Sequence, residues 1–192
     1  MPCIIFSSVH MHPQPAHEQA RLYVLLIIGF SSAGAGDRLG LVCEETGEPL
    51  PAAMLPYCGR PLLEGLVRDL TAREYLHYRT FGERCTTPVA IMTSDAKGND
   101  RRVKELLATQ NYFGRPKDSI RLFCQPLVPV LEASTGVWVL PEALAPSMKP
   151  GGHGAIWKLM HDNGIFSWLQ GAGALCHIFA GTAACLFVLQ CF

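Results

Sequence analysis

Apolar residues run without a break through the nine positions from Leu22 to Phe30 and then give way to Ser31, Ser32, Ala33, Gly34, Ala35 and Gly36. Such a run is too short to cross a bilayer as a helix. Rich in aliphatic side chains and closed by glycine, it predicts a strand buried on both faces, as in a parallel sheet. The polar stretch after Gly40, with turn-type pairs at Thr46-Gly47 and Glu48-Pro49, predicts a long connecting loop reaching Ala53-Met54-Leu55-Pro56. From Leu62 to about Phe81 the residues Leu62, Leu63, Leu66, Val67, Leu70, Tyr75 and Leu76 fall on one helical face, with Glu64/Arg68 and Asp69/Arg73 as ion pairs outside and an end near Gly82. Pro88 to Met92 predicts a short strand left through Thr93-Ser94-Asp95, and Asp100 is a suitable N-cap for a helix that turns Val103, Leu106 and Leu107 inward. Ile120 to Gln125 predicts another strand, and Val128–Val130 with Val137–Leu140 predict a hairpin around Ser134-Thr135-Gly136. A second glycine loop, Lys149 to Gly154, precedes a helix over Ala155–Asp162 that Asn163-Gly164 terminates. Strands alternating with helices make this an α/β chain.

The two ends differ from this pattern. Residues 1–20 show no sustained periodicity and predict an unstructured leader, in which His10, His12 and His17 lack the rigid backing that a specific metal site needs. Residues 171–192 carry no charge and are almost entirely small or apolar. This tail is open to three readings: a misread or truncated gene end, a buried helix, or a C-terminal membrane anchor weakened by Gly171, Gly173 and Gly181. Between the two ends, residues 21–170 form one domain.

Composition narrows the class. With 192 residues, 49% of them apolar and 17% charged, the chain can build a core and is not a disordered or fibrous protein. Sixteen Lys and Arg balance 16 Asp and Glu, so no basic field exists to hold nucleic acid. Eight cysteines occur without a single C-x-x-C pair, which argues for reduced thiols and against a zinc site or dithiol.

The chemistry concentrates in two glycine loops and one glutamine. Gly34-Ala35-Gly36-Asp37-Arg38-Leu39-Gly40 follows a strand, and its backbone N–H groups can face phosphates because glycine has no Cβ to hold them away; Arg38 adds a fixed cation. The third glycine comes one position late for a dinucleotide-binding turn, and no Gly-Lys-Ser/Thr follows, so a Walker loop is absent. By itself such a segment is more often an ordinary strand-to-loop turn than a phosphate site. In the second loop, Gly151, Gly152 and Gly154 let a base or ribose lie against bare backbone, and His153 can donate to an oxygen at the mouth of the next helix. Gln125, at a strand end, is either a solvated side chain or a carboxamide able to pair with an edge of uracil.

Taken in order, Gly34–Gly40, Met54–Arg60, Ile91-Met92-Thr93-Ser94, Phe123-Cys124-Gln125-Pro126 and Lys149–Leu159 resemble the N-terminal part of the catalytic domain of the UDP-sugar pyrophosphorylases, most closely the plastid type of UDP-glucose pyrophosphorylase. The resemblance runs from about Leu22 to Gln170. It implies a Rossmann-like nucleotidyltransferase fold, here incomplete, with a mixed sheet and flanking helices. It also implies an enzyme that converts UTP and a sugar 1-phosphate, glucose 1-phosphate above all, into UDP-sugar and pyrophosphate with Mg²⁺ in a plastid. The first loop with Gly34, Gly36 and the catalytic Arg38 would hold the triphosphate. Gln125 and the Gly152 backbone would recognise uracil, and His153 would lie near ribose or the α-phosphate. No covalent protein intermediate is needed, since the sugar phosphate attacks in line and the site stabilises the departing pyrophosphate.

Departures from the family pattern limit what is carried over. Arg60 stands where many relatives have a lysine shortly after Leu-Pro, and Ala155 stands where Gly-His-Gly is often followed by Asp. The acidic metal-binding segment and the sugar pocket have no counterpart, so no metal ligand is assigned and the isolated chain is expected to have little or no activity. The alternatives are a non-catalytic nucleotide-binding remnant and a membrane-tethered protein.

Overall fold

The computed structural model describes residues 40–152 and 154–172 in full and, as backbone only, the strands at 24–29, 176–181 and 187–189. The leader predicted for 1–20 lies outside the described residues.

The predicted strand is β1 (Val24–Gly29). The polar loop after it carries a bridge between Val42 and Pro49 and a single 3-10 turn at Ala52–Met54. A two-residue hairpin, β2 (Pro56–Tyr57) with β3 (Arg60–Pro61), turns through Cys58 and Gly59, both at positive φ. The helix α1 (Leu62–Phe81) has the predicted bounds, ends on a left-handed Gly82, and carries the Arg68–Glu64 and Arg73–Asp69 pairs. Leu63, Val67 and Leu70 are buried, whereas Tyr75 and Leu76, predicted to face inward, are exposed. Apolar spacing continues to the end of α1, but burial stops at Leu70, so these two side chains have no layer to enter.

Then follow β4 (Val89–Ser94), α2 (Asn99–Thr109), β5 (Ile120–Gln125), β6 (Leu127–Pro129), β7 (Met148–Pro150), α3 (Ala155–Asp162), α4 (Ile165–Gly171), β8 (Cys176–Gly181) and β9 (Phe187–Leu189). Asp100 does not cap α2. The cap position is Gly98, two residues earlier, without a side-chain cap, and the Asp100 carboxylate is taken by Thr93 and Lys104. The predicted hairpin forms, with the Val139 N–H donating to the Val130 carbonyl and the Glu132 N–H to the Val137 carbonyl, each at 2.9 Å, and a second pairing lies beside it. Leu127–Pro129 pairs antiparallel with Met148–Pro150, while 128–130 and 137–140 meet only around the Leu131–Trp138 bridge. Pro129 and Pro141 carry no N–H and keep a long ladder from forming there.

The main sheet has five strands in the order β5-β4-β1-β8-β9. The first four are parallel, and β9 is antiparallel to β8, so the sheet is mixed as expected. In the tail the described segments are strands of this sheet, not a helix. Among the described residues no helix is long and apolar enough to cross a membrane.

Side-chain alternation on β4 and β5 divides the core. Val89, Ile91 and Ile120 pack with Ala52, Ala53, α1 and the Val103, Leu106 and Leu107 face of α2. Ala90, Met92 and Phe123 pack with Ile156 and Met160 of α3 and Ile165 and Leu169 of α4. Helices thus cover both faces of the parallel strands, the arrangement that strands apolar on both sides require. Between α2 and β5 the chain reverses through Asn111, Tyr112 and Phe113, all at positive φ. The buried Arg115 guanidinium next to this turn pairs with Glu74 at 2.8 Å and donates to the Thr87 carbonyl at 2.7 Å, tying α1 to the approaches of β4 and β5.

Candidate functional site

Parallel strands deliver their carboxyl ends to one edge of the sheet, where open α/β folds bind ligands. On β4 and β5 the register pairs Thr93 with Cys124 and Ser94 with Gln125 at that edge. Gln125 is the last residue of β5 and is fully buried, which overturns the reading of a solvated strand end. It lies on the Phe123 side of the sheet, toward α3.

The chain leaves β5 through Pro126, runs out along an arm and returns through β7 to Gly151. The Gly151 N–H donates to the Pro126 carbonyl at 3.2 Å. A Cβ at Gly151 would stand 3.6 Å from that same oxygen. One residue on, Gly152 takes φ +88°, a conformation open to glycine and strained for other residues. Its N–H donates to Gln125 Oε1 at 3.2 Å, and its carbonyl accepts from the Ala155 N–H at the start of α3. The two predicted residues, 27 positions apart in the chain, therefore meet, and each fixes the other.

The bond sets the direction of the carboxamide. With Oε1 turned to Gly152, the NH2 group points away, and Gln125 Nε2 is buried with no hydrogen-bond partner. A buried polar group left unpaired costs about 1–3 kcal/mol. The Gln125 carboxamide is thus a neutral, oriented group at the sheet edge whose amide donor is enclosed by protein.

Gly34, Gly36, Arg38 and His153 lie outside the described residues. Arg60 is exposed on β3 at the head of α1. Among the described residues no group of three or more His, Cys, Asp or Glu side chains could hold a metal ion. Sequence reasoning missed the polar residues behind the strand ends. Thr93 donates to Asp100 Oδ1 at 2.5 Å, and Lys104 Nζ lies 2.5 Å from Asp100 Oδ2, which raises the lysine pKa. Burial, reinforced by the Asp95 carboxylate that its thiol bonds, pushes the Cys124 pKa up to about 11. The signal available was the Thr-Ser-Asp exit from β4, three short polar side chains in a row at a strand end.

No family model matches the chain. It is 55% identical over 140 residues to UTP--glucose-1-phosphate uridylyltransferase 3, chloroplastic, of Arabidopsis thaliana, a match covering 73% of this chain and 16% of that protein. It is 28% identical over 158 residues to UDP-N-acetylhexosamine pyrophosphorylase-like protein 1 of Xenopus tropicalis, covering 81% of this chain and 28% of that one. Among solved structures, the uridine diphosphate N-acetylglucosamine pyrophosphorylase of Trypanosoma brucei matches with a TM-score of 0.68 at 16% identity, over 86% of this chain and 33% of that one. UDP-glucose phosphorylase from the same organism matches at 0.56 and 21% identity, over 85% of this chain and 32% of that one. The chain thus spans well under a third of the length of the curated relatives it matches. In sequence the chain is similar to a part of the Arabidopsis uridylyltransferase, and in fold to a part of the solved UDP-sugar pyrophosphorylases.

Proposed function

We propose that the chain carries the uridine-reading part of a UTP:sugar-1-phosphate uridylyltransferase. The observation that carries this reading is the buried Gln125 carboxamide, oriented by the Gly152 N–H and left with an unpaired donor. Uracil offers O4 and O2 as acceptors flanking one N–H donor. Gln125 Nε2 donates to one of those oxygens, and Oε1, which keeps a second lone pair beside the Gly152 bond, accepts from the base N–H. Cytosine places an amino donor where uracil has O4, and the Gly152 bond opposes turning the amide to suit it.

Gly34, Gly36 and Arg38 hold the triphosphate in this reading, Arg38 stabilises the charge that develops on the leaving pyrophosphate, and His153 lies near ribose or the α-phosphate. Support for these roles comes from the motifs alone. Mg²⁺ accompanies the triphosphate and supplies further charge neutralisation when bound. Glucose 1-phosphate as the sugar and a plastid location are supported by the name of the Arabidopsis relative.

The test is equilibrium binding of UTP with Mg²⁺ to the full chain and to Gln125→Ala. Loss of both base contacts at a buried site predicts about tenfold to hundredfold weaker binding. Unchanged affinity in a folded variant would remove Gln125 from the site.

A further inference from the structure

Behind the strand ends, on the face opposite Gln125, lies a second set of polar contacts that the nucleotide reading does not use. Ile91 and Ile120 belong to the α2 side of the core, so alternation carries Thr93 and Cys124 to that side as well. Thr93 is fully buried, and its hydroxyl donates to Asp100 Oδ1 at 2.5 Å across the β4–α2 connection. The same oxygen of Thr93 lies 3.4 Å from the Phe123 carbonyl on β5, and Cys124 Sγ lies 3.6 Å from the Gln125 carbonyl. Asp100 needs no help from Thr93 for its charge, because Lys104 pairs with its other oxygen. The hydroxyl therefore contributes direction rather than neutralisation.

The mechanical need is clear from the topology. Among the described residues β5 is an edge strand with β4 as its one neighbour, and Gln125 is its last residue, the place where a sheet frays first. Pinning β4 at Thr93, directly opposite Cys124, holds the final rung on which Gln125 sits opposite Ser94.

We infer that Thr93, clamped by Asp100, is a positioning residue that fixes the end of β5 and thereby the Gln125–Gly152 carboxamide. This rests on the proposed uridine reading for its functional meaning, and its geometry can be tested without it. In the full chain, amide exchange at Gly152 and UTP binding are compared for the wild type, Thr93→Val and Thr93→Ser. Valine keeps the shape and removes the donor, while serine restores the donor.

Thr93→Val is expected to speed exchange at Gly152 about tenfold while exchange at Val67 in α1 stays unchanged, since a local opening and not the global one is affected. UTP binding weakens about tenfold with it, and Thr93→Ser recovers both to within about twofold, as restored hydrogen bonding requires. Wild-type exchange at Gly152 in Thr93→Val overturns the inference, as does faster exchange that serine does not rescue. If the wild type fails to bind UTP, the uridine reading fails, and the exchange result still decides the clamp. Should Thr93→Val not fold, Asp100→Ala removes the acceptor from the α2 side and is judged by the same two readouts.

Discussion

At the end of β5 a glutamine amide is enclosed by protein, bonded once through its oxygen and unbonded at its nitrogen. That state is tolerated at a cost because the backbone opposite it is glycine. Gly152→Ala is expected to destabilise the loop by roughly 1–2 kcal/mol, the penalty for a side chain at positive φ. It should also weaken UTP binding more than it lowers the melting temperature of the whole chain; equal loss of both would point to general destabilisation. The thiols make a second prediction at this scale. Cys58 is exposed on its turn, and Cys43, lowered by hydrogen bonds from Thr46, is the readier thiolate, whereas Cys124 is held protonated. Alkylation near neutral pH should modify Cys43 and Cys58 while sparing Cys124 until the chain unfolds, as mass mapping would show. The sign of the pH effect follows: the unfolded thiol loses its proton near 9.0 and the folded one near 11, so this group's stabilisation is complete below the first value and is lost as pH rises through the second. Cys124→Ser should flatten stability over that window.

Element by element, local pattern and local structure agree wherever packing and periodicity point the same way. The bounds of α1, β5 and α3 follow from the spacing of Leu63, Val67 and Leu70, from the alternation through Ile120 to Gln125, and from the glycines bracketing Ala155–Asp162. Apart from Tyr75 and Leu76, which outrun the buried layer, the misses come from partners outside the local pattern. Met148–Pro150 becomes a strand only because Leu127–Pro129 needs an edge, and Asp100 is drawn from capping by Thr93. The buried Arg115–Glu74 pair was likewise invisible, since nothing near Arg115 in sequence announces an acid 41 positions earlier. Removing one member of a buried pair typically costs about 3–5 kcal/mol, so Arg115→Ala should sharply lower the denaturant midpoint while Arg68→Ala on the exposed face of α1 changes it little. Similar midpoints for the two variants would show that the pair does not tie α1 to the sheet.

Over the whole molecule, the α/β class was legible from alternation, whereas Gln125 and Gly152 were singled out by the family resemblance and the hydrogen bond between them was not foreseen. Gly34, Gly36, Arg38 and His153 were legible as motifs and lie outside the described residues, so their placement stays with the proposal. The tail was not legible: an uncharged stretch fits a helix, an anchor or a buried strand equally well, and only pairing of Cys176–Gly181 beside β1 distinguishes them. The arm between Leu127 and Pro150 exposes Leu131, Val137, Trp138, Leu140 and Leu144, an apolar patch on a chain that spans a fraction of its relatives. Uracil recognition by the oriented glutamine amide, as proposed, is best checked by calorimetric titration of the full chain with UTP, CTP and ATP in the presence of Mg²⁺. UTP is expected to bind at least about tenfold more tightly than either competitor, the discrimination of one matched buried polar contact, and Gln125→Ala to erase the preference. Equal binding of the three nucleotides, or a preference that survives Gln125→Ala, would contradict that recognition.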